Sequence, residues 1–390
     1  MTKRNVLILG AGQIGRTIAD LLLQSGNYRI LVGDRDSAML NALPDSTFLE
    51  TVEVDCADAK SILKVLDGHE AVVSALPFDW NLAVAKAALD SGVSYFDLTE
   101  DVKATTEVRE LSSRSRSGQV FMPQCGLAPG FIGIITFHLC KWFDELETVK
   151  MRVGALPQFA ANEMLYNLTW STDGLINEYC QPCEVIHNRE RVKVLPLEGV
   201  EQLLIDGDRY EAFNTSGGLG TLCETLDGKV QELNYKTIRY VGHRDLIAFL
   251  LEGLRIGEGD KPRKRQEILR EILERSIPMT YQDVVVTFCT VTGRKNGKLM
   301  QISDVRKVYG HGIERESEPR SAIQITTAAG LCAVLDLHLS ERLPVKQGFA
   351  RQEDVDFNDF MRTEFGRHFA LESMETKPRS AGIPLRKHRQ

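Results

Sequence analysis

This 390-residue chain has no apolar run long enough to cross a bilayer, a crossing that takes about 20 residues. It also has no strong excess of either charge. With 47 basic and 54 acidic side chains the net charge is −7, which gives no electrostatic reason to expect nucleic acid or an anionic membrane as a partner. The eight cysteines are scattered through mostly apolar stretches, which argues against a disulfide framework and suits a reducing cytoplasm. Cys180 and Cys183 form a C-x-x-C. No second pair follows at zinc-ribbon spacing and no thioredoxin-type βαβ frame surrounds it, so it reads as coincidence and no metal is expected. The N-terminus runs directly into a strand, so no signal peptide is expected. The length suggests two domains with room for a sizeable core.

The informative residues begin near the start. In NVLILGAGQIGRTIADLL, four apolar residues, Val6 to Leu9, run into Gly10, Gly12 and Gly15. Ile14, Ile18, Leu21 and Leu22 then share one helical face. A buried parallel strand entering a helix through such a turn is the frame in which G-x-G-x-x-G holds a dinucleotide. Gly10 makes the tight turn, Gly12 admits the pyrophosphate and Gly15 lets helix and strand pack closely. Gln13 and Ile14 open the helix and belong to the same expected contact. A second strand over 28–33 ends at Asp34, the distance at which a carboxylate takes the ribose hydroxyls. That charge would repel the 2′-phosphate of NADP, so NAD is the expected cofactor, although Arg35 is of the type that binds such a phosphate. The rhythm repeats. VEVDCAD reads as a third strand and exit loop, with Asp55 near the adenine. AVVSALPF reads as a fourth, with Ser74, Ala75, Leu76 and Pro77 at the ligand-binding carboxyl edge. A helix over 81–91, a strand in VSYFDL, a helix near 103–114 and a strand in QVFMPQC follow.

Beyond Gln124 the pattern changes. CGLAPGF breaks the alternation, and Gly126, Leu127 and Pro129 are placed beside the nicotinamide ring, with Pro129 stiffening the turn. A helix over 132–142 is expected, then strands in VKMRVGAL and LYNLTWS. KPRKRQEILREILERS reads as a surface helix with a solvated basic face. DVVVTFCTVTG, LMQISDVRKVYG and SAIQITT, joined by polar turns, predict three antiparallel strands, and TAAGLCAVLDLHL predicts an apolar helix returning to the first domain. The expected plan is α/β. A Rossmann dinucleotide-binding domain covers 1–125 and is completed by about 327–370. An inserted α/β substrate and dimerisation domain with a largely antiparallel sheet covers 126–326, and a disordered tail covers 371–390. The open face of that sheet leads to the expectation of a homodimer.

The stretches VLILGAGQIGRTIA, VVSALPF, YFDLTED, CGLAPGF, TWSTDGLINEY, YEAFNTSGGLGTL, YKTIRYVGH and GFARQED resemble the saccharopine dehydrogenase-like family. Within it the lysine 6-dehydrogenases are most similar. The resemblance implies assembly through the inserted domain and NAD(P)-dependent oxidation of a carbon–nitrogen bond, with lysine, saccharopine or a carboxylated polyamine as substrate. Hydride removal from an amine needs a neutral nitrogen. A lysine side chain titrates at about 10.4, so a base or desolvation must help remove its proton. The amino-acid end calls for an acidic partner and an arginine fork. By type, Arg239 is the candidate for the carboxylate and His243 for the proton. An ion-paired strand arginine and a turn-capping histidine are the structural alternatives. Asp97, at the expected ligand edge, would hold an ammonium or merely cap the next helix. Thr172, Asp173, Glu178, Thr215 and Ser216 complete the expected substrate contacts. The function expected is NAD-dependent oxidative deamination of the L-lysine side chain. Saccharopine or a carboxylated polyamine as substrate, and a non-catalytic NAD(H)-binding sensor or scaffold, stand as alternatives.

Overall fold

Val6, Leu7, Ile8 and Leu9 are fully buried because strand β1 (Arg4–Leu9) lies at the centre of a parallel sheet covered on both faces. The structure, a computed structural model, describes residues 3–256, 262–312 and 319–370. Around β1 stand β2 (Tyr28–Asp34), β3 (Leu49–Glu53), β4 (Ala71–Ser74), β5 (Ser94–Asp97) and β6 (Val120–Met122), all parallel. Their order is 3-2-1-4-5-6. In that doubly wound arrangement a dinucleotide crosses the carboxyl edge where the order reverses, between β1 and β4. A short strand, Gly348–Phe349, extends the sheet beyond β6.

Asp36, Asp58 and Asp101 accept hydrogen bonds from first-turn N–H groups of the helices Ser37–Asn41, Ala59–Leu66 and Val102–Ser112. The helix Gln13–Ser25 differs. Its N-cap is Gly12, and no side chain caps it, so its positive end is left for a ligand. The glycines around it have separate causes. A Cβ at position 15 would lie 1.8 Å from the Gly10 carbonyl oxygen, whereas one at position 12 would meet nothing within 4 Å. Helix–strand contact needs the first condition and an approaching phosphate needs the second.

The second sheet is built from β7 (Glu145–Pro157), β8 (Cys183–His187), β9 (Glu190–Val194), β10 (Glu201–Ile205), β11 (Asp208–Asn214), β12 (Val230–Tyr240), β13 (Asp283–Lys295) and β14 (Lys298–Tyr309). The order is 10-11-12-7-13-14, with the β8–β9 hairpin branching from β12. β7 and β12 run parallel and the other pairs are antiparallel. The sheet is therefore mixed but largely antiparallel. Val149, Met151 and Val285 share a single core with Val6, Ile8 and Ile18, so the two halves are welded by apolar contact.

Several sequence expectations shift. The third strand of the first sheet starts at Leu49 rather than 52. LYNLTWS forms no strand; it makes an isolated bridge, Leu168 to Met279, and its Ser171 caps the helix Thr172–Cys180. SAIQITT is not a strand either but the start of the helix Ala322–Leu339. Ser321 and Gln324 form a capping box there, and the Asp283 carboxylate accepts from the N–H groups of Ala322 and Ile323. Two caps outweigh the β-branched composition. Against the expectation of no membrane-length apolar run, this 18-residue helix is long and apolar enough to cross a membrane by length and composition, but 78% of it is buried inside the fold. The charged helix Pro262–Ser276 buries Leu269 and Leu273 and brings Gln266 and Arg270 to a cavity wall, so its face is not simply solvated. Cys180 and Cys183 form no disulfide. The expected disordered tail, 371–390, lies outside the described residues.

Candidate active site

Between the carboxyl edge of the parallel sheet and the second sheet lies a cavity of about 940 Å³. From the first domain come Gly12, Gln13 and Ile14, then Ala75, Leu76 and Pro77 after β4, and Gly126, Leu127 and Pro129 after β6. All nine are expected cofactor residues, and the structure brings them to one wall. Gly10 and Gly15 are packed into the turn beneath. Ser74 is buried and donates to Asn81 Oδ1 at 2.8 Å, which pins the β4 exit behind the wall. Asp34 accepts from the N–H groups of Ala11, at 2.7 Å, and Asp36, at 2.9 Å, clamping the β2 exit to the glycine turn. Arg35 and Asp55 are exposed at the same edge, and Asp55 accepts from the Ala57 N–H. The uncapped helix end, the open space beside Gly12 and this carboxyl edge together fit a dinucleotide.

The second domain supplies the charged groups. Arg239, on β12, is 2% exposed. Its Nε donates to Tyr179 Oη at 2.9 Å and its Nη1 to the Ile238 carbonyl at 2.9 Å, and the guanidinium stacks 5.0 Å from the Tyr166 ring centroid. The Tyr179 hydroxyl then donates to His243 Nε2 at 3.0 Å, and His243 Nδ1–H donates to the Met164 carbonyl at 2.8 Å. The carbonyl can only accept, which assigns the tautomer. Burial and the nearby Arg239 push His243 down to about 3, so it is neutral and charge-free at working pH. It is fully buried behind the cavity wall. The structure thus places His243 outside the cavity lining, with both ring nitrogens engaged, and links it to Arg239 through the Tyr179 hydroxyl.

Asp97 likewise does not line the cavity. It is fully buried and accepts from Tyr95 Oη and from the N–H groups of Thr99 and Gln124. It ties the β5 exit to the β6 exit, while Asp101 caps the following helix. Burial pushes Asp97 up to about 6 against those hydrogen bonds. Glu178 does line the cavity and is 8% exposed. Burial pushes it up to about 8, with Arg239 opposing and Glu100 adding to the rise. Thr172 and Asp173 also reach the cavity, and Asp173 is paired with Arg270 at the mouth. Thr215 and Ser216 stand behind the wall. Thr215 Oγ1 meets Thr237 Oγ1 at 2.8 Å, and Ser216 Oγ donates to the Asn177 carbonyl. They brace the wall without lining it. Sequence reasoning missed Glu100, raised by burial, and Tyr179. Both lie inside distinctive motifs, YFDLTED and LINEY, but motif letters do not say which side chain faces inward.

A parallel sheet with an uncapped glycine turn, facing a mixed sheet across a charged cavity, defines a two-domain dinucleotide-binding protein of the Rossmann type. Residues 6–122 match the saccharopine dehydrogenase NADP binding domain and residues 126–367 the saccharopine dehydrogenase C-terminal domain. The chain belongs to the saccharopine dehydrogenase family. It is 24% identical over 393 residues to the mitochondrial alpha-aminoadipic semialdehyde synthase of Bos taurus, covering 96% of this chain and 41% of that protein. It is 26% identical over 183 residues to the saccharopine dehydrogenase [NADP(+), L-glutamate-forming] of Saccharomyces cerevisiae, covering 44% of this chain and 40% of that one. It is 26% identical over 200 residues to the Rattus norvegicus synthase, covering 50% of this chain and 21% of that protein. The matches thus span less than half the length of these curated relatives. The solved apo saccharopine dehydrogenase (L-Glu forming) of S. cerevisiae shares the fold, with a TM-score of 0.74 at 15% identity over 92% of this chain and 96% of that one.

Proposed function

We propose that this chain is a nicotinamide-dinucleotide-dependent oxidoreductase that removes the side-chain amine of L-lysine oxidatively, giving a cyclic imine and ammonia. The observation that carries the substrate is the charge of the cavity. Among its described lining residues are two cations, Arg239 and Arg270, and six acids, Asp79, Glu100, Asp173, Glu178, Glu267 and Glu274. Arg270 is already paired with Asp173. One buried guanidinium among carboxylates suits a ligand with two ammonium groups and one carboxylate. Saccharopine carries further carboxylates, each of which would lie among acids at a cost of several kcal/mol or would need another cation. It remains the second reading because the named relatives point to it.

When bound, the dinucleotide supplies the hydride acceptor. The protein's own share is positional. Arg239, held by Tyr179, forks the substrate carboxylate, and Glu178 beside it takes the α-ammonium. Leu76, Pro77 and Leu127 exclude water from the reacting end. Pairing of two copies through the second sheet belongs to the same reading, since its edge strand β14 exposes Leu299 and Met300.

The test is dinucleotide reduction followed by absorbance, with lysine, saccharopine and carboxylated polyamines in parallel and product identification. Lysine is expected to be oxidised most efficiently, at a rate rising from neutral to alkaline pH because the amine must lose a proton. Efficient oxidation of saccharopine with lysine inert would replace this reading by the second.

Asp34 bears on the cofactor. A carboxylate at the end of β2 favours ribose hydroxyls over a 2′-phosphate. NAD is therefore expected to exceed NADP in kcat/KM by at least about tenfold, roughly 1.4 kcal/mol. Asp34→Ala should shrink that ratio. Equal efficiency with both cofactors in the wild type would show that Asp34 serves only to clamp the Ala11 and Asp36 N–H groups.

A further inference from the structure

We infer that Glu100 is the group that accepts the proton of the substrate's reacting ammonium, while Glu178 and Arg239 hold the amino-acid end. This rests on the amine-oxidising reading above. The division follows from which domain supplies each acid. The reacting carbon must lie against the cofactor wall, because hydride transfer needs contact with the bound nicotinamide. Glu178 stands on the helix Thr172–Cys180 of the second domain, close enough to Arg239 for the guanidinium to oppose its protonation. A carboxylate and a guanidinium on the same cavity wall match the α-ammonium and α-carboxylate of an amino acid.

The cofactor domain brings two acids to the cavity, Asp79 and Glu100. Asp79 is exposed and Glu100 is only partly so. Glu100 follows β5 on the carboxyl edge, on the short loop that also places Leu98 and Thr99 in the cavity wall. That loop is fixed at both ends. Asp97 accepts from the Thr99 N–H, and Asp101 accepts from the Ala104 N–H while its own N–H donates to Thr99 Oγ1. A third constraint comes from the second domain. Gly217 has φ +86°, and a Cβ there would lie 2.8 Å from the Glu100 carbonyl oxygen and 3.0 Å from its Cβ. Backbone this close holds Glu100 in place without touching its carboxylate. Among the described residues that carboxylate has no cationic partner.

Charged groups around it are Asp97 and Asp101 on its own segment, Glu178 across the cavity and Arg239 beyond Glu178. Burial and the neighbouring acids raise Glu100 above the usual carboxylate range, which brings a carboxylate closer to an amine in proton affinity. In the step, an N–H bond of the substrate ammonium breaks, its electron pair stays on nitrogen, and the proton passes to a Glu100 oxygen. The freed lone pair then forms the C=N bond as the adjacent C–H bond breaks, its electron pair and hydrogen leaving together as hydride for the acceptor that a bound dinucleotide would supply.

The test compares Glu100→Gln, Glu100→Asp and Glu178→Gln with the wild type, each checked for NADH binding and melting temperature. The readouts are kcat against pH and the dissociation constant of lysine by calorimetry. Glu100→Gln should lower kcat by about 100-fold or more, the usual worth of a positioned base. Lysine should still bind within a few-fold, and the rate should keep climbing with pH toward the substrate's own titration. Glu100→Asp should recover part of kcat. Glu178→Gln should weaken lysine binding instead. A folded Glu100→Gln enzyme with kcat within about threefold of wild type and an unchanged pH profile would overturn the assignment, as would the same kcat and pH signature appearing in Glu178→Gln alone. A wild type that turns over no amine would overturn the functional reading itself, and this inference with it. That result is read on the unmodified enzyme, so the two failures are distinct.

Discussion

In Arg239→Ala, kcat/KM for the amino-acid substrate falls by about 30- to 1,000-fold while NADH binding is unchanged. The change corresponds to about 2–4 kcal/mol, the cost of leaving a desolvated substrate carboxylate without its charged partner. The size follows from the preorganisation of the side chain. Its Nε and Nη1 are already engaged by Tyr179 and the Ile238 carbonyl, and Nη2 has no hydrogen-bond partner among the described residues. Little rotamer freedom is lost on binding, so little of the contact energy is offset. Arg239→Lys recovers only part of the loss, because an ammonium cannot reproduce the planar fork. Steady-state kinetics with a melting curve for each variant measures this. Unaltered kcat/KM in a folded alanine variant would place the substrate carboxylate elsewhere.

Glu178→Gln raises the stability of the unliganded protein at alkaline pH. Glu178 titrates at about 8 in the folded chain against 4.5 when solvated. Between those values the folded state holds a proton that the unfolded state has released, so this group's contribution to stability declines as pH rises through that window and levels off above it. Glutamine, which does not titrate, escapes the decline. The advantage of the variant should be near zero below about pH 4.5, grow across the window, and reach on the order of 5 kcal/mol above pH 8, at about 1.4 kcal/mol per unit. Melting temperatures of both proteins from pH 5 to pH 9 test it. A constant difference across that range would mean that Glu178 is solvated in the folded state. Such a gain, set beside the weaker lysine binding proposed above for the same variant, would be the usual exchange of stability for function at a binding site.

The first sheet was legible because its strands are short, apolar and separated by capped helices, and because the spacing from Gly10 to Asp34 reflects one βαβ unit. The nine expected residues that line the first-domain wall of the cavity were placed by the same sheet geometry. SAIQITT failed for a definable reason. Its alternation suits a strand, and the decisive cap comes from Asp283, 39 residues away from Ala322. His243 and Asp97 sit away from the cavity for a similar reason. Residue type suggested proton transfer for the first and ammonium binding for the second, yet Tyr179 and the Met164 carbonyl engage one, and Tyr95 with two backbone N–H groups engages the other. Glu100 escaped because in the run T-E-D nothing local distinguishes the acid that faces the cavity from the one that caps a helix. The close packing against Glu100 comes from Gly217, more than 100 positions further on.

The helix Ala322–Leu339 also governs when the first domain can become complete. It packs on the helix Gln13–Ser25, with Tyr28 Oη donating to Asp336, Gln324 donating to Gln13 and Arg320 pairing with Asp20. Those partners are separated by about 300 positions in the chain. During synthesis the six-stranded sheet emerges early, with one side of its first helix uncovered. At about 5–20 residues per second, the covering helix follows many seconds later, after the whole second domain. Loop closure over that length costs entropy before any contact returns it. For that interval the side of the first helix that the later one covers is left to solvent, the kind of transient exposure that favours aggregation.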